Sequence, residues 1–170
     1  MNIYLIGYRC TGKTTVGKLL TGHLEWDFID TDDKIVEAAG KSIQEIVDSQ
    51  GWETFRKMER DVIKSVSDNR SLVIATGGGV ILDEKNIKVM KRTGSVVWLK
   101  ASAQTIQRRL SKDKTTQAYR PSLTQKGTFD EVQETLKKRA PYYESAMNYS
   151  VETDEATVED VCREILKRIG

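Results

Sequence analysis

Residues 7–14 read GYRCTGKT, a complete G-x-x-x-x-G-K-[ST] phosphate loop directly after the apolar run 3–6. A short strand feeding a glycine loop that opens a helix is the context this motif requires. Its glycines let the chain curl without a Cβ in the way, so successive backbone N–H groups turn inward and can hold a β-phosphate. Lys13 is then expected on the β- and γ-phosphates and Thr14 on Mg²⁺. A helix over about 13–22 would direct its positive end at the anion. The alternative is an accidental glycine turn, for which the chance in a chain this short is on the order of one in a hundred.

A chain of 170 residues is the size of one domain and can bury a full core without disulfide or metal support. Lys and Arg number 27 against 25 for Asp and Glu, and the resulting net charge of +2 gives no electrostatic case for a nucleic-acid or membrane partner. The two cysteines, Cys10 and Cys162, stand far apart without a pairing pattern, which suits a reducing compartment, the cytoplasm. No apolar stretch approaches the roughly 20 residues of a membrane span, and the N-terminus lacks signal-peptide flanks. With His23 as the single histidine, a multi-histidine metal site is excluded.

Apolar runs of strand length recur at 3–6, 28–29, 72–75 and 96–99, with a weaker one at 149–151, and helical patterns lie between them. Strands that are apolar throughout and alternate with amphipathic helices predict a parallel sheet covered on both faces. Ser42 with Glu45 reads as a capping box, Asp83 as the cap of a helix through Met90, and Ser102 as the cap of another through Leu110. The stripe Val158, Val161, Cys162, Ile165, Leu166, Ile169 makes Cys162 a core residue. By contrast, residues 111–128 are polar, poor in helix formers and carry Arg120-Pro121, which predicts a lid-like loop.

Asp30-Thr31-Asp32 follows the second strand and places two carboxylates at the sheet edge where open α/β folds bind ligands. Alternation along a strand would put both on one side. One suits Mg²⁺, the other a substrate hydroxyl; the alternative makes Asp32 the N-cap of a helix over 34–38. Arg56 and Glu59, three apart on a helix over about 52–66, share a face, an arrangement also typical of a surface ion pair. Thr76-Gly77-Gly78-Gly79 ends the third strand, where adjacent glycines favour close approach of backbone to ligand over a plain flexible turn. Arg109, Arg120 and Arg139 suit phosphates or carboxylates, because a planar guanidinium donates two parallel hydrogen bonds.

This ordered set, GYRCTGKT, Asp30-Thr31-Asp32, Phe55-Arg56 with Glu59, Gly77-Gly78-Gly79, Arg120-Pro121 and Arg139-Ala140-Pro141-Tyr142-Tyr143, resembles shikimate kinase along the whole chain. The resemblance implies a three-layer α/β fold of the phosphate-loop NTPase kind, similar to the nucleoside monophosphate kinases, with a central parallel five-stranded sheet and a lid. It implies one domain over 1–170, with a substrate-binding region at about 33–60 and the lid at about 111–128. The implied reaction moves the γ-phosphoryl group of ATP, with Mg²⁺, to the 3-hydroxyl of shikimate, in a monomer. Gly7, Cys10, Thr11, Gly12, Lys13, Thr14 and Thr15 would hold the nucleotide, Arg109 would stack on adenine, and Arg120 would close over the phosphates. Thr14 and Asp30 would serve the metal. Asp32 would bind the substrate hydroxyls and take a proton. Arg56 and Arg139 would clamp the carboxylate beside the backbone of Gly78 and Gly79, with Glu59 orienting Arg56 or a hydroxyl. Lys13, Asp32 and Arg120 are thus the expected catalytic set.

Two departures stand out: residues 115–119 lengthen the approach to Arg120-Pro121, and Cys10 occupies the phosphate loop as a small residue that fits or as an oxidation-sensitive one. Competing readings are another small-metabolite kinase, such as a gluconate or nucleoside monophosphate kinase, and a nucleotide-dependent switch module.

Overall fold

The computed structural model describes residues 1–112 and 128–169. Within them the apolar runs become β1 (Asn2–Ile6), β2 (Asp27–Asp30), β3 (Leu72–Ala75), β4 (Gly94–Lys100) and β5 (Tyr149–Glu152). All pair parallel in the order β2-β3-β1-β4-β5. The helices are α1 (Lys13–Leu24), α2 (Thr31–Ala39), α3 (Ile43–Ser67), α4 (Glu84–Thr93), α5 (Ala103–Lys112), α6 (Thr128–Ala146) and α7 (Val158–Ile169), with a 3₁₀ turn at Val80–Leu82.

The period-2 geometry of a strand sends alternate residues to opposite faces, and here both faces are core. Tyr4 and Ile6 of β1, Ile74 of β3, and Val96 and Trp98 of β4 pack with Ile63 of α3, Met90 of α4 and Tyr143 of α6. Ile3 and Leu5, Val73, and Val97 and Leu99 pack on the other face with Val16 and Leu20 of α1 and Cys162 and Ile165 of α7. The three-layer α/β reading therefore holds, and Cys162 is buried in the second core. Leu20 is fully buried there, and truncating such a residue to alanine typically costs about 2–5 kcal/mol.

Local signals in the sequence explain several boundaries. The Ser42–Glu45 capping box forms with both of its hydrogen bonds, and Asp83 caps α4 through Lys85 N at 2.8 Å. The alternative that made Asp32 a helix cap fails. Asp30, not Asp32, caps α2: its Oδ1 accepts from Asp32 N at 3.0 Å. β2 ends at Asp30, so Asp32 lies in the first helical turn and the strand alternation invoked for the pair does not apply. The expected lid extends beyond the described residues, which include only its margins in α5 and α6; Arg120 lies outside them.

The site is positioned by topology. β1 lies between β3 and β4, and the chain leaves β3 on one side of it to enter β4 on the other. Loops at the carboxyl ends of β1, β2 and β3 consequently meet at a switch point, the place where open α/β sheets leave a crevice.

Candidate active site

The loop after β1 delivers Gly12 as the N-cap of α1, so the exposed N–H groups of the first turn face the crevice. Lys13 is nearly buried, and its Nζ donates to the carbonyls of Gly7 and Tyr8 at 2.8 Å each. These bonds hold the ammonium against the loop at the position an anion would face. Thr11 is buried and donates to the Tyr8 carbonyl at 2.9 Å, which tightens the same turn. Cys10 adopts a left-handed φ of 61° within it.

Thr14 Oγ1 donates to Asp30 Oδ2 at 3.1 Å, joining the loop to the end of β2. A hydroxyl and a carboxylate side by side are the hard oxygen donors that Mg²⁺ takes, so the residues fit that ion. Asp32, in the first turn of α2, lies deeper and is almost wholly buried. It lines the open cleft shared with Lys13, Thr14 and Asp30, and it also lines a second, tighter pocket of about 60 Å³.

That second pocket gathers Arg56 and Glu59 from α3, residues 77–79 after β3, and Arg139 from α6. Arg56 Nη1 bonds Glu59 Oε2 at 2.8 Å, and its guanidinium lies over the rings of Trp52 and Phe55 at 5.4 and 5.3 Å. The solvent-exposed alternative for this pair fails, since Glu59 is fully buried. Burial pushes the Glu59 carboxyl up to about 7, against the opposing pull of the Arg56 guanidinium. Its second oxygen, Oε1, has no hydrogen-bond partner and points at the Gly77 backbone.

Close approach explains the glycines. A Cβ on Gly77 would sit 2.8 Å from Asp32 Oδ1 and 2.9 Å from Glu59 Oε1, while one on Gly79 would fall 2.6 Å from Arg56 Nη1. The strand end is therefore held against three ionisable groups at distances no side chain permits. Arg139 Nη1 donates to the Gly78 carbonyl at 3.1 Å, and Tyr143 Oη donates to the same oxygen at 2.6 Å. Tyr143 belongs to the segment 139–143 that carries the resemblance but was given no role of its own; it lies one helical turn after Arg139. Burial pushes its phenol up to about 12, which keeps it a donor.

Arg109 stands apart from this group. Its Nη1 donates to the Cys10 carbonyl at 3.1 Å and its Nη2 to the Thr153 carbonyl at 2.6 Å, which ties the phosphate loop to the end of β5. With Thr11, Gly12, Thr15 and Thr157 it lines a third cleft on the opposite flank of the loop. Thr153 was not anticipated; its position at the carboxyl end of a strand was the available signal.

The chain as a whole matches one family. Residues 9–170 match the family model described as shikimate kinase. The shikimate kinase of Syntrophus aciditrophicus (strain SB) is 41% identical over 98% of this chain and 90% of its own length. That of Thermodesulfovibrio yellowstonii is also 41% identical, over 98% of this chain and 93% of its own length. Among solved structures, shikimate kinase from Acinetobacter baumannii in complex with shikimate superposes with a TM-score of 0.91, at 33% identity over 99% of this chain and 92% of that one. A gluconokinase from Sinorhizobium meliloti gives a TM-score of 0.61 at 16% identity, a likeness of fold alone. Agreement in sequence and in structure, each over almost the entire chain, establishes that this chain belongs to the shikimate kinase family.

Proposed function

We propose that this chain transfers the γ-phosphoryl group of ATP to the 3-hydroxyl of shikimate, giving shikimate 3-phosphate and ADP. The observation that carries the reading is Asp32, which lines both the cleft of the phosphate loop and the pocket of Arg56 and Arg139. A donor half and an acceptor half thus share one carboxylate at their junction.

Phosphoryl transfer asks a protein mainly for in-line positioning and charge neutralisation. In this reading Arg56 and Arg139 take the substrate carboxylate beside the backbone of Gly78 and Gly79, and Glu59 fixes the guanidinium plane of Arg56. Asp32 takes the substrate hydroxyls and receives the proton of the attacking oxygen. Lys13 leaves its two loop carbonyls for the β- and γ-phosphates, and the loop residues Gly7, Cys10, Thr11, Gly12, Thr14 and Thr15 cradle the nucleotide. Arg109 spends its donors on Cys10 and Thr153, so its planar face is the part suited to adenine. Thr14 and Asp30 would hold Mg²⁺, which when bound neutralises phosphate charge. Arg120 with the loop at about 111–128 would close over the phosphates and exclude water. We place the enzyme in the cytoplasm as a monomer, with residues 33–60 as its substrate-binding region; no helix among the described residues is long and apolar enough to cross a membrane.

The test is ADP release by the purified chain with ATP and Mg²⁺, comparing shikimate, gluconate and nucleoside monophosphates. Turnover is expected with shikimate alone. Turnover with gluconate in its place would overturn the assignment of the acceptor.

A further inference from the structure

Arg56 and Arg139 line a second groove besides the substrate pocket, about 350 Å³ in volume. Two helix faces and a turn build it. Thr135, Lys138, Arg139 and Tyr142 follow one another at i, i+3, i+4 and i+7 along α6, Trp52 and Arg56 stand at i and i+4 on α3, and Leu82 ends the 3₁₀ turn between them. Trp52, Leu82 and Tyr142 are 39%, 43% and 47% exposed, and among the described residues Met1 is the only other large apolar side chain this open to solvent. Three such groups converging on one concavity mark a binding surface rather than scattered surface apolarity.

The chemistry of the walls restricts what can enter. Among the described residues every charged side chain lining the groove is a cation, namely Arg56, Lys138 and Arg139, and no carboxylate lines it. Arg56 is held by Glu59 and Arg139 by the Gly78 carbonyl, whereas Lys138 takes part in no ion pair among the described residues. The two exposed rings come from different helices, which suits a flat ligand lying against both in offset or edge-on contact.

We propose that this groove binds a small aromatic carboxylate, its ring against Trp52 and Tyr142 with Leu82 below, and its charge on Lys138. Because Trp52, Arg56 and Arg139 border both sites, a carboxylate here draws on the cations that face the substrate. The two ligands therefore weaken each other reciprocally, as any coupling between binding sites must. The kinetic consequence, a raised KM for shikimate at unchanged KM for ATP, rests on the proposed reaction; the binding itself does not.

The experiment is a ¹H–¹⁵N NMR titration of the full chain with 4-hydroxyphenylacetate, using cyclohexylacetate and 4-hydroxyphenylacetamide as controls for ring and charge. Shifts are expected at the Trp52 indole N–H and the Lys138 and Tyr142 amides, with a Kd about tenfold lower than for either control, the size of one modest contact. Lys138→Gln and Tyr142→Ala should each weaken binding about tenfold while leaving kcat and KM for shikimate within about twofold in the absence of the acid. Equal binding of either control, shifts centred on residues 77–79 and Glu59, or undiminished binding by both variants would overturn the site. Inactivity on shikimate would overturn the proposed reaction only, and the titration would still decide the groove.

Discussion

Glu59 is a carboxyl whose environment works against its charge. It is fully buried, and burial pushes its folded-state value up from 4.5 to about 7, with the Arg56 guanidinium, and to a lesser degree Arg139, pulling the other way. A raised folded value means that the folded chain holds this proton more tightly than the unfolded one. The contribution of Glu59 to stability is therefore fullest below about pH 4.5 and declines as pH rises through about 7. Glu59→Gln keeps the shape and removes the titration, so the difference in Tm between variant and parent should move in the variant's favour from pH 5 to pH 8, approximately the span of that titration. A difference that stays constant across that range contradicts the assignment. Gly79→Ala tests the same guanidinium from the other side. Its Cβ would displace Arg56 rather than unfold the chain, so KM for shikimate should rise about tenfold or more with a stability loss of at most about 1–3 kcal/mol. Steady-state kinetics beside urea unfolding separates the two effects. The spacing of Arg56 and Glu59 was legible in the sequence, but their burial was not. It is imposed by the loop after β3, about twenty residues downstream, which no local pattern of α3 reports.

Helix α3 shows what an element can and cannot disclose in its own sequence. The capping box at Ser42 and the amphipathic stretch after Trp52 were both readable as separate helical signals. The structure joins them as one element of 25 residues interrupted at Gly51, with φ 80° and ψ 168°. That conformation is essentially closed to residues with a side chain, although a Cβ there would meet nothing within 4 Å. The requirement is thus conformational rather than a matter of space. Gly51→Ala should cost about 1–3 kcal/mol in urea unfolding, and Gly51→Asn should fail to restore it, since Asn tolerates left-handed helical angles but not this extended ψ. Equal stability of parent and Gly51→Ala would show that the two segments can rejoin as an uninterrupted helix. Trp52 and Arg56 follow the break, so the angle set at Gly51 also aims the aromatic face on which Arg56 lies.

At the scale of the molecule, the site belongs to no single segment. Its parts lie at residues 7–14, 30–32, 56–59, 77–79 and 139, and only the parallel order β2-β3-β1-β4-β5 brings them to one crevice. Strand identities were legible because each apolar run is bounded by polar helices. Strand order was not, because runs such as 72–75 and 96–99 are interchangeable by composition; the resemblance implied five parallel strands, and the structure supplies their order. A site assembled from so many elements couples its ligand to global unfolding. Shikimate at one hundred times its Kd should stabilise the chain by about 2.7 kcal/mol. For a chain of 170 residues this corresponds to a rise in Tm of about 5–10 °C. Arg139→Lys keeps the charge but loses the planar fork, so at the same shikimate concentration its rise in Tm should shrink by at least about half, in step with a higher KM. Tyr142→Ala, one turn from Arg139 but outside the substrate pocket, should retain the full rise. If Arg139→Lys were stabilised as much as the parent, the substrate carboxylate would have to rest on Arg56 and the glycine backbone alone.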